Sequence, residues 1–231
     1  MVINGLEKLS LVDFNEKTAC TVFLAGCNFR CPFCHNAPLV LGTGDRVIDE
    51  EEFFTYLMRR QGLIDGVCIT GGEPLLRPLD EMREFIARIR ELGYLVKLDT
   101  NGTRPDSLIA LTSEGLLDYV AMDIKNSPEK YAMTAGLDSL GLDAIRRSID
   151  HLIGGSCDYE FRTTVAHPLH EESDFAEIGR MVSGAKRFFI QKFNGRQGTL
   201  ADGLSEIPEE KALSFADILS PYVESVTLRG Y

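Results

Sequence analysis

Short apolar runs of strand length alternate along the chain with segments whose apolar residues recur every three or four positions. The runs fall at 19–25, 67–70, 94–98, 119–122, 159–165 and 188–193. Between them the helical period appears in turn. It is carried by Phe53, Phe54, Leu57 and Met58, then by Leu79, Met82, Phe85, Ile86 and Ile89, and then by a stretch around 107–114. Leu142, Ile145, Ile149 and Leu152 mark a fourth helix, and Phe175, Ile178 and Met181 a fifth. End signals agree with these periods. Asp49 can cap the first helix with Glu52 three residues on, and Arg59 and Arg60 suit its last turn. Gly93 stops the second helix, and Pro208 suits the first turn of a final helix over 208–220. Residues 1–18 read as a hairpin or an irregular lead-in, and 226–228 as a last strand.

Six such strand–helix units predict an α/β chain: a parallel sheet with helices outside, curved into a partial (β/α)6 barrel. A closed eight-unit barrel needs more units and more length. No repeat, low-complexity tract or linker divides the chain, so a single domain over 1–231 is expected. Active sites in such folds gather at the C-terminal ends of the strands. The unusual residues stand there: a cysteine loop after 19–25, Gly71-Gly72-Glu73-Pro74, Asp99-Thr100-Asn101-Gly102, and Asp123-Ile124-Lys125.

Composition narrows the class. An apolar content of 44% and a charged content of 26% fit a folded chain and not a disordered one. The net charge of −11 argues against nucleic-acid binding, which calls for a basic face. No apolar run is long enough to span a membrane and no signal peptide opens the chain, so cytoplasm is the expected compartment. Six cysteines are too sparse for a disulfide framework in that setting.

Cys27, Cys31 and Cys34 form a C-x3-C-x2-C loop with no nearby fourth cysteine. Three thiolates suit a soft centre: an iron–sulfur cluster, copper(I), or zinc completed by His35. A cluster held by only three thiolates keeps one iron open for chemistry, by the logic that separates catalytic metal sites from closed ones. Gly71 and Gly72 allow close backbone approach, and Glu73 beside them could receive an amino-acid ammonium, or the stretch could be a tight turn alone. Asp99, Asp123 and Lys125 read either as a rim ion pair or as ligand-binding charges. Cys20, Cys68 and Cys157 read as small core residues, His167 and His170 as an isolated loop pair, and His151 as a helix-end charge.

Together these motifs resemble the radical S-adenosylmethionine (SAM) enzymes. The spacing C-x3-C-x2-C with Phe33 before the third cysteine carries that likeness, and Gly-Gly-Glu one strand later strengthens it. Cys34-His35-Asn36, Asp-Thr-Asn-Gly and Asp-Ile-Lys resemble more narrowly the glycyl radical enzyme activating enzymes, those of anaerobic ribonucleotide reductase and pyruvate formate-lyase. The resemblance implies a [4Fe–4S] cluster on Cys27, Cys31 and Cys34 whose open iron chelates SAM. It implies that Gly71, Gly72 and Glu73 receive the methionine amino group and Lys125 the carboxylate. Asp99, Thr100 and Asp123 would serve the ribose side or bind a monovalent cation. Phe33 would lie near the adenine, and Asp13, His35 and Asn36 where a partner's glycine loop enters. A flavodoxin- or ferredoxin-type donor would supply the electron, and the resulting 5′-deoxyadenosyl radical would take a hydrogen from a glycine of a glycyl radical enzyme.

Two features depart from that pattern. Arg162-Thr163-Thr164-Val165 stands where many relatives carry a glycine-rich adenine contact, and Gln191-Lys192-Phe193 where some carry a ribose-binding histidine. Two other functions stay open: a small-molecule radical SAM enzyme such as a 7-carboxy-7-deazaguanine synthase, and a nonenzymatic metal- or electron-carrying module. An electron carrier would need no amino-acid pocket.

Overall fold

The computed structural model describes residues 1–41, 48–195 and 198–231. Its sheet runs in chain order from β1 (Gly5–Ser10) and β2 (Ala19–Leu24) through β3 (Gly66–Gly71), β4 (Leu95–Thr100) and β5 (Tyr119–Asp123). It continues through β6 (Asp158–His167) and β7 (Ala185–Lys192). A two-residue strand, β8 (Ser205–Glu206), pairs antiparallel with the end of β6, and β9 (Val223–Arg229) adds to β7. Only β1 and β8 are antiparallel to their neighbours. The expected partial barrel is present, with β9 as a further parallel strand longer than the three residues 226–228 expected for it.

The helices are α1 (Ala37–Leu41), α2 (Glu50–Met58), α3 (Leu79–Glu91), α4 (Pro105–Ser113) and α5 (Tyr131–Thr134). They continue as α6 (Asp143–Ile153), α7 (Glu172–Met181) and α8 (Glu209–Leu219). Asp49 caps α2 by accepting the Glu51 N–H at 2.8 Å. Pro208 stands one residue before α8 instead of inside its first turn. The short α1 and α5 were not expected, because four or five residues carry no readable period.

Strand alternation sorts the side chains. On the outer face Val96, Leu98, Val120, Met122 and Phe161 are wholly buried under helix residues such as Phe85, Ile89, Leu108 and Ile149. Each such side chain contributes about 1.5–3 kcal/mol of burial. The inner face carries charge instead: Lys97 and Asp99 on β4, Asp123 on β5, Glu160 and Arg162 on β6. The β1–β2 connection tucks beneath this interior. Phe14 packs on Ala19 and Tyr119, and Asn15 donates to Tyr119 Oη (2.9 Å) and Glu160 (2.8 Å). No helix among the described residues is long and apolar enough to cross a membrane.

Candidate active site

The loop after β2 carries Cys27, Cys31 and Cys34 into a solvent-open cleft of about 200 Å³ at the C-terminal ends of the strands. All six cysteines are free thiols. The Cys34 N–H bonds the Cys31 carbonyl at 3.0 Å, and the Phe29 N–H points at Cys27 Sγ at 3.4 Å. Burial pushes the Cys31 thiol up to about 11 and raises that of Cys27, so metal binding here must displace protons. Among the described residues no three His, Cys, Asp or Glu side chains converge on a single ion. His35 is stacked on Phe193 with ring centroids 5.4 Å apart. Zinc completed by His35 therefore lacks its tetrahedron. Three thiols around one cleft suit a cubane cluster, which binds each thiolate to a different iron and so does not need them to meet on one ion.

A glycine corner holds the loop in place. Gly71 has φ +125°, and a Cβ there would stand 2.2 Å from the Leu24 carbonyl oxygen. A Cβ on Gly72 would stand 2.0 Å from the Gly26 carbonyl oxygen. The close approach these glycines permit is thus to the end of β2 and to the start of the chain's own cysteine loop. The Gly72 and Glu73 N–H groups then donate to Leu24 and Gly26, each at 2.8 Å.

Glu73 does not line the cleft. Its side chain is buried, and its carboxylate accepts the Asn101 N–H (2.6 Å), Thr100 Oγ1 (2.8 Å) and the Leu75 N–H (3.0 Å). Burial pushes this carboxyl up to about 7 although the three donors pull the other way. It fastens the end of β4 to the corner after β3, which leaves the backbone of Gly71 and Gly72 to face the cleft. Asp13 is also absent from the lining: it accepts Thr21 Oγ1 at 2.6 Å, held there by the connection beneath the barrel. The remaining expected residues come together. Phe33, His35, Asn36, Asp99, Thr100, Asp123 and Lys125 line the cleft with the cysteines and the two glycines.

The charged wall is built across three strands. Arg162 spans both aspartates, with Nη2 at 3.1 Å from Asp99 Oδ2 and Nε at 2.7 Å from Asp123 Oδ1. Lys125 Nζ lies 2.9 Å from Asp123 Oδ2, and Lys97 contacts Asp99 Oδ1. Burial would raise both carboxyls, but Arg162 and the lysines hold each below the ordinary carboxylate value. All four oxygens already face a cationic N–H, so the monovalent cation that the resemblance implies does not fit this pair.

Lys125 is positioned from behind. The Ala166 N–H donates to His170 Nδ1 (3.2 Å), which leaves the proton on Nε2 to bond the Lys125 carbonyl at 2.9 Å. Asn126 donates to Leu169 O and Thr134 Oγ1, both at 2.9 Å. Ser127 bonds Asp174 at 3.0 Å, and Lys130 pairs with Asp174 and Glu171 at the same distance. His170 is therefore a buried strut and not an isolated loop residue, and His151 is likewise engaged, with Nε2 2.7 Å from Thr112 Oγ1. Sequence reasoning noted Arg162, Thr164 and Gln191 only as departures from the resemblance and not as lining, took His170 for an isolated loop residue, and missed Lys97 and Thr70. An arginine in place of a glycine-rich segment was the visible signal for the first.

Comparison with known proteins bears on this site. A family model described as the radical SAM superfamily matches residues 21–181, which spans all three cysteines, the glycine corner and Lys125. The chain belongs to the radical SAM superfamily. A Methanocaldococcus jannaschii protein, provisionally named a glycyl-radical enzyme activating enzyme, is 30% identical over 99% of this chain and 95% of its own. A pyruvate formate-lyase-activating enzyme of Clostridium pasteurianum is 27% identical over 65% of this chain and 63% of its own. A 7-carboxy-7-deazaguanine synthase of Methanopyrus kandleri is 33% identical over 45% of this chain and 48% of its own. Among solved structures, a radical SAM methyltransferase from Sphaerobacter thermophilus superposes with a TM-score of 0.71 at 17% identity, over 96% of this chain and 68% of its own. That likeness shows the fold. Radical SAM chemistry rests on a [4Fe–4S] cluster and SAM, and the three free thiols beside a polar cleft fit both. This radical SAM chain is accordingly an enzyme, an oxidoreductase by the chemistry of its family.

Proposed function

We propose that this enzyme activates a glycyl radical protein in the anaerobic cytoplasm, acting as one radical SAM domain over residues 1–231. The observation that carries this reading is the end-to-end likeness to the M. jannaschii protein, over 99% of this chain, since the deazaguanine synthases it resembles match 45–66% of it. Anaerobic ribonucleotide reductase is the partner we favour, because no ferredoxin-like insert separates the cysteine loop from Gly71-Gly72-Glu73 and the motifs after it. A flavodoxin- or ferredoxin-type protein would deliver the electron.

Cys27, Cys31 and Cys34 would hold the cluster and leave one iron without a protein thiolate. The cluster, when bound, supplies the one electron that splits the SAM sulfonium into methionine and a 5′-deoxyadenosyl radical. The chain's own residues bind and orient. Lys125 presents an ammonium for the methionine carboxylate, a charge-assisted contact. The backbone carbonyls at Gly71 and Gly72 suit the amino group, with Glu73 fixing that corner from below. Asp99 and Thr100 line the sugar side, Phe33 offers a ring near the adenine, and His35 and Asn36 stand where a partner loop would enter. A glycine is the fitting target, because without a Cβ its backbone can come close to the reacting carbon.

The test is electron paramagnetic resonance on reduced, cluster-loaded enzyme with SAM and candidate partners. A glycyl doublet with one matched partner is expected. No doublet with any partner, together with turnover of a purine precursor, would replace this reading with the small-molecule one.

A further inference from the structure

A buried lysine beneath the cleft has no part in the chemistry set out above. Lys97 lies on the inner face of β4, two residues before Asp99, with its side chain only 3% exposed. Its ammonium contacts Asp99 Oδ1, and its second neighbour is the Cys68 thiol at 3.7 Å. A buried ammonium is costly unless its charge is matched, so this position is expensive to keep for packing alone.

The match is with the wall above it. Asp99 and Asp123 bring two negative charges to neighbouring strand ends, and each of their four oxygens has its own cationic partner. Arg162 takes one oxygen of each aspartate, Lys125 takes the second of Asp123, and Lys97 takes the second of Asp99. Lys97 is the one of the three that approaches from below, away from the side on which a ligand enters.

We infer that Lys97 is a resident counter-ion, a positioning residue that neutralises Asp99 from below while Arg162 bridges the two aspartates, and that it thereby frees the site from dependence on K⁺ or Na⁺. The inference rests on the reading of the cleft as a SAM site only for its binding arm. Removing the ammonium would uncover Asp99 Oδ1 and leave a space lined by a carboxylate and the Thr21–Cys68 side of the interior. A small dehydrated cation could enter there, whereas choline could not.

The first measurement uses the protein without SAM, melted in KCl, NaCl or choline chloride at equal ionic strength. Wild type should melt at the same temperature in all three to within about 1 °C, since no ion is linked to folding. Lys97→Met should melt lower in choline and gain roughly 3 °C in KCl or NaCl. The second measurement is SAM calorimetry on the cluster-loaded enzyme. Wild-type affinity should be indifferent to the salt, Lys97→Met should lose about tenfold in choline and recover in KCl, and Lys97→Arg should keep both affinity and indifference. A wild type whose melting or affinity rises with K⁺ or Na⁺ over choline overturns the inference, as does a Lys97→Met variant that is indifferent to salt at full affinity. If Lys97→Met does not fold, the wild-type salt series and Lys97→Arg decide. Failure of wild type to bind SAM would sink the reading of the cleft but leave the melting series to judge the counter-ion.

Discussion

His170 and Lys125 are joined through a single hydrogen bond, from the imidazole Nε2 to the lysine carbonyl at 2.9 Å. The same imidazole sits against the Phe33 ring at 6.4 Å between centroids, so one buried side chain touches both the cysteine loop and the lysine proposed to hold SAM. Burial lowers the basicity of this histidine, which keeps it neutral and in the donor tautomer at physiological pH.

His170→Leu should therefore act on the lysine and not on the cluster. Leaving the Lys125 carbonyl without its donor should cost about 1–3 kcal/mol of stability by urea denaturation. SAM affinity should fall about three- to tenfold by calorimetry, with iron content unchanged. Undiminished affinity would show that the strut does not set the lysine's position.

Gly72→Ala should damage the cluster site without touching a cysteine. The added methyl meets the Gly26 backbone at 2.0 Å, and neither backbone can yield without breaking the 2.8 Å bond from Glu73 N–H to Gly26. Overpacking of this kind costs about 1–3 kcal/mol or more. Iron incorporation should drop well below wild type under the same anaerobic reconstitution. Normal loading with a normal melting curve would mean that the corner can open.

The cysteines should divide cleanly. Replacing Cys27, Cys31 or Cys34 by Ala should abolish a cluster of about four irons. Replacing Cys20 or Cys68, both wholly buried in the sheet, or Cys157 should leave it in place. Iron and sulfide analysis under anaerobic conditions distinguishes the sets, and a single zinc without sulfide would refute cluster binding.

Acid should find the aspartates. Asp99 and Asp123 have folded-state values below their ordinary one, so their ionised forms stabilise the fold above roughly pH 4, and that stabilisation fades as pH falls further. The urea midpoint of wild type should exceed that of Asp123→Asn at neutral pH, and the gap should narrow below about pH 4. A gap that widened toward acid would mean that burial outweighs Arg162.

How much was legible follows from what each residue needs. Apolar runs and helical periods carry their own signal, so the strand order and the six strand–helix units could be read from the chain, and the cysteine spacing is local. Glu73 could be seen but not understood, because its three donors include Thr100 and Asn101 from the next strand. Arg162 and Lys97 were opaque for the same reason: a charged residue inside a strand pattern looks like an exposed position until the curvature of the sheet turns that face inward. β8, with two residues, and α5, with four, are too short for any period to show.

The inward charges also bear on how the sheet finds its alignment. An apolar interior tolerates a slipped strand at modest expense, because one aliphatic contact resembles another. Here Arg162 is opposite Asp123 in the β5–β6 pairing, and Glu160 two residues earlier meets Arg229 from β9 at 2.8 Å. A slip of β6 by one residue would turn Glu160 and Arg162 outward against the helices, leave Asp99 and Asp123 with one lysine each, and leave Arg229 without Glu160. The ion pairs thus work as the teeth of a key, rejecting misaligned barrels during folding before any cofactor is present to do so.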